Sequence, residues 1–175
     1  MEPTTDTGDI LDFEPFDIEN RDDVRTAYFK VDRTALKMLE RTLPKIAGNS
    51  INSLKQDSSK STRYFKRTPD DGEICLDWSA VKILRYVKAL NHPFPGAFIQ
   101  TKFGKLIIWS AKKIHRKCAG FKTGDIIRNK KGHGTEIALA TNEIICIMLC
   151  RPPKDYDCWC DEWVSEKQIS GNILK

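Results

Sequence analysis

The chain has 175 residues, of which 40% are hydrophobic and 30% charged, and a formal net charge of +5. These proportions describe roughly one globular domain, at ~150 residues per domain, and exclude a disordered polypeptide. The longest apolar run, Ile144 to Cys150, is far short of the ~20 residues of a spanning helix, so no membrane segment is expected.

The chain opens MEPTTDTGDI, acidic and polar, without the basic start and apolar core of an export signal. A cytoplasmic setting with six reduced cysteines is the expectation. Charge is unevenly spread. Residues 1–27 hold nine acids and two bases, whereas Phe98–Arg151 holds eleven Lys or Arg and three acids. A basic block of that size attracts polyanions, and it also serves simply as a solvated face.

Thr7–Ile18 reads as a short strand or extended arm, broken at Pro15. Over 21–47, Val24, Ala27, Tyr28, Val31, Ala35, Leu39, Leu43 and Ile46 recur at helical spacing, and Asp32 is placed to cap a second helical stretch. Gly48-Asn49 stops it. Ser, Lys and Asn then dominate 49–73, where a linker is expected. A helix follows from an N-cap at Ser79 to about Leu90, with Val81, Leu84, Val87 and Leu90 as its stripe. The rigid corner NHPFPG leads into five short segments rich in β-branched residues: AFIQT, KLIIWSAKK, GDIIRN, EIALAT and EIICIML. Five such strands in some 55 residues point to a small barrel of OB-like type. A turn of helix is expected near Glu162–Gln168.

Few residues offer chemistry. Asp6-Thr7-Gly8-Asp9 puts a carboxylate on a tight turn, where it can orient a base or simply cap its own loop. His92, His115 and His133 have no Cys, Ser or acid at catalytic spacing. Cys146, Cys150, Cys158 and Cys160 crowd the end, but Cys158-Trp159-Cys160 is not a zinc knuckle, and no metal is expected.

The order of these pieces resembles the C-terminal part of the folate-dependent formyltransferases, which include methionyl-tRNA and sugar-amine N-formyltransferases. The matching stretches are Asp6-Thr7-Gly8-Asp9-Ile10-Leu11, Leu43-Pro44, Gln56-Asp57, Tyr64, Lys66-Arg67-Thr68-Pro69-Asp70-Asp71-Gly72 and Asp77-Trp78. Ala89-Leu90-Asn91, Pro93-Phe94-Pro95-Gly96-Ala97-Phe98, Gly124-Asp125-Ile126 and Gly171-Asn172-Ile173-Leu174 continue the match. The resemblance implies an α+β chain. Residues 1–50 would be the remnant of a Rossmann-like formyltransferase catalytic domain, 51–75 a linker and 76–175 an OB-like β-barrel.

In the family, the aspartate of this motif belongs to an Asn/His/Asp catalytic set, and Asp6 matches it. The Asn, the His and the loop that binds 10-formyltetrahydrofolate lie upstream of the motif in that family. The resemblance therefore implies a truncated formyltransferase, inactive alone, with an apolar face left for a complementing chain that carries the upstream half. The implied partner is initiator tRNA, held by Lys102, Lys105, Lys112, Lys113, Arg116, Lys117, Arg128, Lys130 and Lys131. The alternatives are a sugar-amine N-formyltransferase fragment acting on a sugar nucleotide, and a non-enzymatic OB-like module that binds nucleic acid or a partner protein.

Overall fold

The structure is a computed structural model and describes residues 5–116, 118–154 and 156–174. The chain divides into two compact units, Met1–Lys66 and Arg67–Lys175.

The first unit is built on one long helix, α1 (Val24–Ala47). Asp23 starts it with a capping box: its carboxylate accepts from the Thr26 amide, and its own amide donates to the Thr26 hydroxyl. Gly48 ends it. Asp32 lies inside the helix and starts no second stretch. The cap at Asp23 and the unbroken apolar spacing prevail over the weaker local signal of a mid-helix Asp.

The segment before α1 is an arm rather than a strand. Its ladder is a single bridge between Ile10 and Leu54. Charge holds it instead: Arg41 donates to Asp12 at 2.7 and 2.9 Å and to Glu14 at 2.7 Å. Lys30 reaches Asp22 at 2.5 Å. No residue of α1 is buried. Phe13 is 70% exposed and Leu36 62%, and Tyr28, Leu39, Leu43 and Ile46 are also exposed. The amphipathic stripe read from the sequence thus forms a helix whose apolar face is open to solvent.

The second unit carries the core. Its sheet is antiparallel: β1 (Ala97–Thr101), β2 (Gly104–Ile114), β3 (Ile126–Lys130), β4 (Gly134–Ala138) and β5 (Ile144–Arg151), in the order β1-β2-β5-β4-β3. A two-residue strand, β6 (Cys158–Trp159), adds to the far end of β5 and runs into α3 (Cys160–Glu166). The sequence pattern had offered only a turn of helix there. Two residues are too few to show a period.

The C-terminal segment reaches both edges of the sheet. Leu174 bridges Thr101, and Asn172 bridges Asp125. The Ile173 amide donates to Gly124 and its carbonyl accepts from Lys102. Edge groups that would otherwise face water are thereby paired.

Helix α2 (Ala80–Ala89) is capped by Ser79 and buries Ala80, Ile83 and Val87. With Ile99, Leu106, Ile108, Ile137, Ile145, Ile147 and the α3 residues Trp163 and Val164 they form one cluster. The corner after α2 packs on Trp109: His92 stacks on its ring at 4.0 Å, and the Asn91 amide donates to its carbonyl. Gly96 is required there, since a Cβ would lie 2.4 Å from Ile107 and 2.8 Å from Trp109. No helix among the described residues is long and apolar enough to cross a membrane.

Candidate functional site: a basic face

Asp6 sits on an exposed turn at φ 60°, in the left-handed region that Asp adopts more readily than most side chains. The Gln56 side-chain amide donates to the carbonyls of Asp6 and Gly8, and the Ser53 hydroxyl donates to Asp9. Gln56 thus pins the loop that presents Asp6. A base must lie within about 3 Å of its orienting carboxylate. All three histidines belong to the second unit, His92 stacked on Trp109 and His115 and His133 on exposed loops. Within its own unit Asp6 has no histidine to orient.

The basic residues fall into distinct groups. Lys113 is spent on Glu143, whose other oxygen accepts from the Ala80 amide at the start of α2. That pairing holds the Glu143 carboxyl below its ordinary range. Arg116 pairs with Glu136, and Lys105 lies 3.2 Å from Asp70 and 3.9 Å from the centre of the Phe98 ring. These three close the protein's own charges. Lys102, Lys112, Arg128, Lys130 and Lys131 are exposed and make no ion pair among the described residues. Lys117 lies outside the described residues.

Sheet register places two of the unpaired cations. Lys112 on β2 is opposite Cys146 on β5, Cys146 opposite Glu136 on β4, and Glu136 opposite Arg128 on β3. Directly paired residues share a face, so one row crosses four strands. The neutralised Glu136 sits inside that row, with Lys112 and Arg128 at its ends. Lys130 and Lys131 continue the face at the β3–β4 turn, while Lys102 stands apart on the β1–β2 turn. The sequence showed the charge excess; the pairing that leaves five cations available depends on contacts up to 35 residues apart.

A shallow groove of about 520 Å³ lies beside this face, lined by Lys113, Ile114, His115, Arg116, Thr141, Asn142 and Glu143. With one aliphatic side chain and its strongest cations already paired, it does not fit a pteridine ring system. Among the described residues, no cluster of three or more His, Cys, Asp or Glu is placed to hold a metal ion.

Comparison with known proteins gives this architecture its family. Residues 66–168 match the model of the formyl transferase C-terminal domain. The chain is 36% identical over 112 residues to the bifunctional polymyxin resistance protein ArnA of Wigglesworthia glossinidia brevipalpis, covering 64% of this chain and 17% of that protein. In fold it is similar to HypX from Aquifex aeolicus in complex with tetrahydrofolic acid, with a TM-score of 0.74 and 12% identity over 99% of this chain and 32% of that one. A methionyl-tRNA formyltransferase from Clostridium thermocellum aligns at a TM-score of 0.50 and 24% identity, over 67% of this chain and 49% of that one. The chain belongs to the formyltransferase family through its C-terminal domain. It spans about a sixth of ArnA and a third of HypX.

Proposed function

We propose that this chain is the acceptor-holding part of a 10-formyltetrahydrofolate-dependent formyltransferase, with methionyl-tRNA as the acceptor. In this reading the second unit is an OB-like barrel and the first a remnant of the Rossmann-like catalytic domain. The observation that carries it is that five of the nine candidate cations, Lys102, Lys112, Arg128, Lys130 and Lys131, are exposed and make no ion pair among the described residues of a formyltransferase C-terminal domain. A flexible cation without an internal carboxylate partner is free to displace counterions from a phosphate chain. The folate co-substrate supplies the formyl group, and the groove beside Lys113 and Glu143 does not suit it, so no step is derived through it.

The chain is inactive alone in this proposal. Asp6 is held ready by Gln56, but its role needs the Asn and His that the family carries upstream of this motif. Losing members of a set that acts as a unit costs orders of magnitude. The open apolar face of α1 and the arm is where the complementing half docks. ArnA and HypX are each several times longer than this chain, which supports an occupant of that kind. The proposed setting is cytoplasmic.

The test is binding of the full chain to initiator tRNA, with an amino-sugar nucleotide as competitor, followed by a formyl-transfer assay. Salt-sensitive tRNA binding without formyl transfer is expected. Sugar-nucleotide binding without tRNA affinity would move the reading to the sugar-amine branch. Formyl transfer by the chain alone would overturn the incomplete catalytic set.

A further inference from the structure

Three of the six thiols converge at one end of the sheet. Cys150 on β5 is directly opposite Cys158 on β6, and Cys160 is the first residue of α3. The neighbouring Cys160 thiol, burial and the neighbouring Cys158 thiol together push the Cys150 thiol up. Cys150 and Cys160 are fully buried, whereas Cys158 is partly exposed. Two other thiols are committed elsewhere: Cys118 donates to the Glu143 carbonyl at 3.3 Å, and Cys146 to the His133 carbonyl at 3.1 Å. Cys75 is exposed and lies on the segment before α2.

We propose that Cys150 and Cys158 form an oxidation site that takes a hydroperoxide and closes to a disulfide. Opposed residues of an antiparallel pair have Cα atoms about 4.5 or 5.5 Å apart, and both values lie inside the window of about 4.4–6.8 Å that a disulfide spans. The entry point is Cys158, the only one of the three that solvent reaches. Its sulfur attacks the distal peroxide oxygen, the O–O bond breaks, and a sulfenic acid and an alcohol or water form. The Cys150 sulfur then displaces the hydroxyl, which leaves as water with the Cys150 proton. Two thiols are oxidised and one peroxide is reduced.

Cys160 is the wrong partner for Cys158, because the two are separated by a single residue. The Cys160 thiol beside it and its burial push the Cys150 thiol up, so it stays inert until the sulfenic acid forms beside it. The closed disulfide clamps β6, and with it α3, onto β5. Trp163 and Val164 of α3 are part of the core cluster that this clamp would hold in place.

The test uses the full chain carrying Cys75→Ser, treated with stoichiometric hydrogen peroxide and then digested without reductant. The expected product has lost two hydrogens, and tandem mass spectrometry of its linked peptides places the bond between Cys150 and Cys158. The link persists in Cys160→Ser and disappears in Cys158→Ser. A link retained in Cys158→Ser, a Cys150–Cys160 bond, or sulfinic acid at Cys158 without a link would each overturn the proposal. Fragmentation of the link in the Cys75→Ser chain itself decides the matter even where a further cysteine variant does not fold.

Discussion

Gly124 tests whether the C-terminal segment closes the sheet. It has φ +84°, and a Cβ added there would lie 2.4 Å from the Leu174 Cγ, 2.7 Å from its Cδ1 and 3.0 Å from the Asn172 oxygen. Gly120 has φ +87° with nothing within 4 Å of the same added atom. The two glycines therefore share the backbone cost of a left-handed alanine, about 1–2 kcal/mol, offset by about 0.4–1 kcal/mol from the stiffer unfolded chain. Gly120→Ala should cost about 0–1.6 kcal/mol on that basis. Gly124→Ala adds an overpacking term of about 1–3 kcal/mol, for a total of about 1–4.6 kcal/mol. Urea unfolding followed by tryptophan fluorescence is the assay, because all four tryptophans lie in the second unit. Equal losses in the two variants would refute the seating of Leu174 against Gly124, and with it the pairing of both sheet edges by residues 172–174.

Three further outcomes follow from the charge pairing. Binding of tRNA should fall with salt at a log–log slope of about −4, from five phosphate contacts at about 0.7–0.9 each, and replacing Lys102, Lys112, Arg128, Lys130 and Lys131 by Gln should flatten it. Fluorescence anisotropy across a salt series measures this, and an unchanged slope would remove the basic face from the interface. Lys113→Gln should leave the slope alone and cost about 0.5–1 kcal/mol of stability in urea, because its partner is Glu143 rather than a ligand. Asp12 is held at about 2 by hydrogen bonds from Arg41, below its ordinary 3.8. Its contribution is therefore complete above about pH 4 and lost as pH falls toward 2. A carboxyl-carbon NMR titration should show the Asp12 midpoint return toward 3.8 in Arg41→Gln, and an unmoved midpoint would refute the pairing.

Much of this protein was legible in its residues. The Ser79 cap and the extent of α2 were read from the residues, and the β-branched runs describe β1 to β5 to within a few residues, but the buried face of α2 is Ala80, Ile83 and Val87 rather than the expected stripe, with Val81 46% exposed. The amphipathic stripe of 21–47 announced a helix made to cover something. These features depend on neighbours within a few positions, where side-chain period and cap chemistry act directly.

What tertiary structure alone decided is longer in range. The pairing of Lys113 with Glu143 and of Arg116 with Glu136, the row from Lys112 to Arg128, the approach of Leu174 to Gly124 and the meeting of Cys150 with Cys158 all depend on strand register. Register is set by which apolar face the whole sheet buries, a sum over many distant residues that no local window contains.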